Sequence, residues 1–312
     1  MLLFGLARLL NLSVEMDALP PQTMTPPAAP PGLERSPVSP APGRTIDAIC
    51  LRRTILITRP ALLAETASYR VSYGILGEVA QGTITFAPQS SPGSAGTDGA
   101  RSMIHAVGDG QGAVLGFGNT SKHIESDFDV QTLTSTRWTS TRTTGAETVI
   151  DSAEQQQPGV VSLLRKRAGN PDQVESVTRS SAVLDPLGLL LRIRLAPPKA
   201  PTTFELLDGR ALWLMSFSAA QPTNENPRML RLDGRAEPIY WNGTPDNDRT
   251  ARSFTFFLSD DAYRNPLRLV VPFGPGEAHA ELSGLSRPGS APRRKVWGGF
   301  LTALMPCRAR AQ

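Results

Sequence analysis

The chain is poor in the side chains that build metal centres and cross-links. Its 312 residues hold two cysteines, Cys50 and Cys307, and three histidines, His105, His123 and His279. Two cysteines exclude a disulfide-rich scaffold and a multi-cysteine zinc or iron–sulfur site. No stretch reaches the roughly 18–20 unbroken apolar residues of a membrane-crossing helix. There is no G-x-S-x-G nucleophile elbow and no recognisable Ser-His-Asp context around any histidine. Nothing in these absences argues against a globular core, because 40% of the residues are hydrophobic and 19% are charged.

The net charge of +4 suggests a nucleic-acid binder until it is located. Residues 286–312 hold Arg287, Arg293, Arg294, Lys295, Arg308 and Arg310 with no acidic residue. Without them the remainder is slightly acidic, which speaks against a phosphate-tracking surface. The 28 arginines against four lysines are scattered rather than clustered, so no bidentate anion site is marked.

Four segments follow from composition. Residues 1–18 begin with an apolar stretch, MLLFGLARLLNLSV, that Arg8 interrupts and no small-residue cleavage site follows. It matches a signal peptide poorly. Residues 19–65 are a proline-rich linker and lead-in, with nine prolines between Leu19 and Arg44. Proline removes donors and fixes φ, so this segment reads as an extended, disordered spacer. Residues 45–65 read either as a strand and turn or as a second export signal starting near Arg52. Residues 66–285 form the folded domain. Residues 286–312 are a basic, disordered tail, in which 293–310 places Trp297, Phe300, Leu301 and Leu304 at helical spacing for peripheral contact with an anionic membrane.

Within the domain the hydrophobic period is two. Tyr69, Val71 and Tyr73 alternate with polar residues, Gly74 and Gly77 mark a turn, and a second strand follows over 79–86. Further strands are expected at about 101–107, 124–130, 133–142, 145–152, 159–166 and 173–179. After an interruption they resume at 203–207, 211–217, 228–233, 236–241, 253–258, 267–271 and 277–283. The interruption is one helix, with Asp185 as cap, Pro186 at its first position, and Pro197-Pro198 at its end. Many short strands with frequent turns predict a mainly β fold, an antiparallel barrel or half-barrel with one short helix. Residues 87–100 read as a loop.

Three constellations are candidates for chemistry. The glycine-rich 108–118 contains Gly108-x-Gly110-x-x-Ala113, a loose dinucleotide fingerprint without the βαβ context it needs. It is read as a flexible turn between strands, with no cofactor. His123, Glu125, Asp127 and Asp129 alternate along one strand face, as metal ligands would. Lys122 stands beside them to neutralise the charge, and an ordinary solvated face is the favoured reading, with no metal. Asp260-Asp261 with Arg264 is either an acid–base pair with a guanidinium or a turn capped by carboxylates with Arg264 paired to one of them. The turn is favoured, and no catalytic residue is assigned.

Three segments in order, YRVSYGILGEVAQGTITF (69–86), DPLGLLLRIR (185–194) and FLSDDAYRNPLRLVV (257–271), resemble a bacterial family defined only as the domain of unknown function 3108. The resemblance spans about residues 67–285. Tyr69, Gly74, Asp185, Arg192, Ser259, Asp260, Asp261, Arg264 and Pro266 carry it. Gly188 stands where the family has a helix serine, and Phe257-Leu258 where tryptophan is usual. The resemblance implies an exported, β-barrel-like domain with no assigned activity and no catalytic residues to carry over.

The function expected is that of a non-catalytic domain of the periplasm or cell envelope, binding or scaffolding a lipid, glycan or protein, because curved antiparallel sheets enclose apolar cavities. The alternatives are a hydrolase using Asp260, Asp261 and Arg264, with His279 nearby, and a cytoplasmic protein whose apolar start is fortuitous.

Overall fold

The computed structural model describes residues 64–90, 102–114, 118–157, 159–225, 228–273 and 276–287. The N-terminal apolar segment, nearly all of the proline-rich lead-in, and the basic tail beyond Arg287 lie outside them. Sixteen strands form one sheet. The first eight are β1 (Glu65–Tyr73), β2 (Glu78–Ser90), β3 (Ser102–Val114), β4 (Gly118–Asp129), β5 (Thr134–Thr144), β6 (Glu147–Gln157), β7 (Val160–Arg167) and β8 (Gln173–Thr178). After β9 (Val183–Leu184) comes the one α-helix among the described residues, α1 (Pro186–Leu195). The rest are β10 (Thr202–Asp208), β11 (Ala211–Phe217), β12 (Gln221–Pro222), β13 (Met229–Ile239), β14 (Arg252–Ser259), β15 (Pro266–Phe273) and β16 (Gly276–Ser286).

In space the sheet runs from β8 back to β1, crosses to β16, returns to β13, and ends on β11, β10 and β9. All pairings are antiparallel except β9 with β10. The two ends do not pair, so the barrel is not closed. The sheet rolls over itself instead. Gly209, in the β10–β11 turn, lies against Asp151 of β6, and a Cβ there would stand 2.9 Å from the Asp151 carboxylate.

Alternation decides which side chains enter the roll. Ala67, Tyr69 and Val71 of β1, Ile84 and Phe86 of β2, and Ile124 and Phe128 of β4 all join the main core. Helix α1 lies inside that core. Nine of its ten residues are buried, from Pro186 to Leu195 with Arg192 excepted. A helix apolar all round can be satisfied only by such a central position. A second, smaller core joins Trp138, Ala153, Val161 and Leu163 to Leu207, Leu212 and Ile239, where β5–β7 overlap β10, β11 and β13.

Three expectations are corrected here. Most of the glycine-rich segment is strand rather than turn: 108–114 continues β3 and Gly118 opens β4, while residues 115–117 between them lie outside the described residues. Its inward positions Gly108, Gly110 and Gly112 pair with Ile84, Gly82 and Ala80 of β2. A Cβ on Gly112 would come within 2.5 Å of the Ala80 Cβ, so close backbone approach, not turn geometry, explains that glycine. The 87–100 loop starts later than read, since β2 runs to Ser90. The strands expected at 228–233 and 236–241 are one strand, β13, and Gly234 is not its break. The Phe254 ring of β14 lies over Gly234, 2.2 Å from where a Cβ would be. An aromatic covering a strand glycine is a known way to fill the gap it leaves. The turn at Gly74 and Gly77 is present as one turn of 3-10 helix, both glycines at positive φ.

Candidate functional site

Four of the residues singled out in the sequence, Asp185, Tyr69, Arg264 and Pro266, lie at the two ends of α1. At its start, Asp185 caps the helix as expected, with Oδ1 accepting from Leu187 N at 2.8 Å and Oδ2 from Gly188 N at 3.3 Å. Ser126 of β4 and Ser135 of β5 each donate to Oδ2 at 2.6 Å. The carboxyl group is fully buried, and burial pushes its pKa up against those four donors.

At the helix end a buried ion pair forms between Arg194 and Glu65 of β1, 2.6 Å apart and off the hydrogen-bond angle. Arg194 also donates to the carbonyls of Arg264 and Tyr263, at 3.2 and 3.3 Å, and lies 5.2 Å from the Phe86 ring centre. Glu65 Oε2 accepts from Arg287 at 3.1 Å, and Arg287 donates to Asn265 Oδ1 at 2.7 Å and stacks over Tyr263. Tyr69 donates to the Pro266 carbonyl at 3.3 Å. Burial raises the Tyr69 phenol pKa strongly, opposed by Arg194 and helped by Glu65.

Arg194, not Arg192, is therefore the helix arginine that meets the rest of the motif. Arg192 is half-buried beside Phe204, with its pKa lowered by burial.

The Asp260-Asp261 segment is an exposed turn between β14 and β15. Asp261 Oδ1 accepts from Tyr263 N and Arg264 N, each at 2.9 Å, and from Ser259 Oγ at 2.7 Å. Ser259 Oγ in turn accepts from Asn265 N at 2.8 Å. Asp260 lies 3.4 Å from Arg228. The expected pairing of Arg264 with one of these aspartates is not made. Arg264 instead adopts φ +48° and turns its carbonyl to Arg194. The carboxylates shape a turn that presents carbonyl oxygens inward. His279 sits at the level of Val270 and Ser72 and pairs with Glu277 at 3.4 Å, away from this turn.

The β4 carboxylates do not converge on a common point. Asp127 binds His105 at 2.8 Å and Arg137 at 2.9 Å. Asp129, beyond a register shift in the β4–β5 ladder, is buried and accepts from Gln131 N and Thr132 N. Lys122 does not neutralise this face. It points inward and pairs with Asp208 of β10. Among the described residues no group of three or more His, Cys, Asp or Glu could hold a metal ion.

His123 bonds Asp109 through Nδ1 at 2.7 Å and Glu125 through Nε2 at 3.1 Å. Burial alone would lower its pKa, but the two carboxylates outweigh it and the pKa is raised above 6.5. The clamp therefore contributes below pH 6.5 and is lost as pH rises through the folded midpoint. An NMR titration of the imidazole is expected to show a midpoint above 6.5, moved down by Asp109→Asn. An unmoved midpoint would remove Asp109 as the cause.

Two adjoining hollows lie on the outer face, where strand register builds a trough that no local motif announces. One wall is the cross-strand row Arg70, Gln81, Gln111, Ser121 and Thr143. The other is Ser68, Thr83, Asp109, His123 and Thr141. The floor is the row between them, Tyr69, Gly82, Gly110 and Lys122, whose side chains or missing side chains face inward. The trough has a volume of about 530 Å³. It adjoins a second hollow of about 550 Å³ toward the β4–β5 strand ends, and the two share Gln81, Gln111, Ser121 and Thr143. Glycines in the floor leave the backbone free to sink inward there.

Among the described residues, α1 and the two cores occupy the inside of the roll. Among the described residues no helix is long and apolar enough to cross a membrane.

No protein-family model matches the chain. No curated protein matches it either. Among solved structures, a β-barrel-like protein of the domain of unknown function 1849 from Brucella abortus is similar, with 10% identity and a TM-score of 0.43. The match covers 72% of this chain and 97% of that one. LprF from Mycobacterium bovis is similar at 11% identity and a TM-score of 0.23, over 78% of this chain and 95% of that one. Strand order and burial, rather than these distant likenesses, define the class: this chain is an unclosed, β-barrel-like antiparallel domain filled by its own helix.

Proposed function

We propose that this chain is a non-catalytic binding domain of the cell envelope that holds a glycan in its outer trough. The observation that carries this reading is the trough's chemistry. Its walls are hydroxyls and primary amides with one guanidinium, one carboxylate and one imidazole, arranged in two parallel rows across five strands. Hydroxyls donate and accept by rotating, and amides do both at once, which matches the mixed donor–acceptor pattern of sugar hydroxyls. Five strands span about 19 Å at the usual strand spacing, the length of an extended oligosaccharide rather than of a single small molecule. A filled interior disfavours a lipid swallowed by the barrel. The envelope location rests on the resemblance of residues 67–285 to the domain of unknown function 3108. The hydrolase alternative has its carboxylates on an exposed turn, with Asp261 occupied by that turn's own donors.

The probe is a linear tetramer of N-acetylglucosamine, titrated calorimetrically beside a panel of neutral and charged oligosaccharides. Gln111→Ala is expected to weaken binding by about two- to tenfold, the worth of a net hydrogen bond. Thr141→Trp, which puts an indole into the trough, is expected to abolish it with the far-UV circular dichroism unchanged. Wild-type protein that binds none of the panel, or a Thr141→Trp variant that binds as well as wild type, overturns the proposal.

A further inference from the structure

We propose that β8 is a self-pairing edge, and that the protein forms a two-fold dimer by joining β8 of one copy to β8 of a second. The sheet path ends on β8, so one side of this strand has no neighbour among the described strands. Which residues face that side follows from one bond. Arg179 N donates to Gly159 O at 2.6 Å, which makes 159 and 179 a hydrogen-bonded pair of the β7–β8 ladder. Hydrogen-bonded and non-hydrogen-bonded pairs alternate in antiparallel sheets. In the β7–β8 register, Val177 with Val161, Glu175 with Leu163, and Gln173 with Arg165 therefore bond inward to β7. Val174, Ser176 and Thr178 direct their N–H and C=O groups to the open side.

That side lacks the usual protections of an edge, namely proline, lysine or an inward charge left without a partner. The strand reads QVESVT. Its one charge, Glu175, turns to the inner face and pairs with Arg210. Val174 is 78% exposed, more than any other large hydrophobic residue described.

The strand's own sequence favours a second copy as the occupant. A two-fold axis normal to the sheet keeps inner and outer faces matched only when opposed residue numbers sum to an even value. With Ser176 on the axis, Val174 meets the partner's Thr178 and Glu175 meets the partner's Val177. Every open N–H and C=O of the three edge residues then finds a partner, and no like charges meet. Shifting the axis to Glu175 sets two carboxylates face to face, which is destabilising. A two-fold pairing also closes, using up both edges, where a head-to-tail contact would propagate. The proposal is independent of the trough, which lies on β16 and β1–β5.

The test uses the full chain with Cys50 and Cys307 replaced by serine, in sedimentation velocity over a wide concentration range. The parent is expected to sediment as a dimer. Ser176→Pro, which removes the axial donor, is expected to sediment as a monomer with an unchanged circular dichroism spectrum. Ser176→Cys is expected to cross-link to itself on mild oxidation, since residues in a hydrogen-bonded pair sit about 5.5 Å apart, within disulfide range. Val174→Cys, which faces threonine, is expected not to. A parent that stays monomeric at the highest concentration, a dimer that survives Ser176→Pro, or cross-linking of Val174→Cys as fast as Ser176→Cys overturns the proposal.

Discussion

Glu65→Leu is expected to lower the unfolding free energy by about 3–5 kcal/mol, the cost of leaving a buried guanidinium without its counter-ion. Arg194 has no exposed side-chain surface and Glu65 has 1%. Neither charge can turn to water, so the loss of one is felt in full. The expected loss is a large fraction of the roughly 5–15 kcal/mol that a whole domain has to spare. The pair also has an architectural task. It joins the last turn of α1 to the first residue of β1, and through Arg287 and Asn265 it reaches the end of β16 and the β14–β15 turn. Removing both charges with Glu65→Leu and Arg194→Leu is expected to recover part of the stability, since two apolar side chains can replace a buried pair. Recovery stays incomplete because the Tyr263 and Arg264 carbonyls lose their donor. Arg287→Leu is expected to cost less, because Arg287 is 23% exposed and its loss leaves Arg194 on Glu65. Urea titrations of the four proteins make the comparison. A loss below about 1 kcal/mol for Glu65→Leu, the range of an exposed pair, would show that the contact is not an anchor.

The legible part of this structure is the part that local chemistry decides. Alternation of Tyr69, Val71 and Tyr73 marks β1 because one face of that strand is core. Asp185 followed by Pro186 marks the helix start because a cap and a missing donor act within one turn. The glycines of β3 mislead because a glycine admitted by close packing has the same letter as a glycine demanded by a turn. Arg192 and Arg194 cannot be told apart in the sequence for a related reason. Two residues apart on a helix differ by about 200° in direction, and α1 is buried all round, so no apolar stripe says which side meets Glu65. The trough is the least legible feature. Ser68, Asp109, His123 and Thr141 become neighbours only through the register of β1 to β5, and no short spacing records a register.

Gly188 yields a second test of large effect. A Cβ there would stand 2.0 Å from Ser135 Oγ and 2.8 Å from Asp185 Oδ2. The space is already taken by a hydroxyl, supplied by β5 instead of the helix. Ser135 Oγ donates to Asp185 Oδ2 at 2.6 Å and accepts from Asp185 N at 3.2 Å. Gly188→Ser is expected to destabilise by about 1–3 kcal/mol through overpacking. Ser135→Gly is expected to cost a similar amount, because the buried Asp185 carboxyl loses one of its donors. Together the two changes exchange the hydroxyl between strand and helix. The double variant is expected to be more stable than the sum of the single losses allows, by a coupling of about 0.5–3 kcal/mol in a double-mutant cycle. Losses that add to within about 0.5 kcal/mol, as at distant sites, would mean that the two positions do not share one hydroxyl. Coupling would mean that positions 135 and 188 share one hydroxyl site beside the Asp185 carboxyl, which can be supplied from the strand or from the helix.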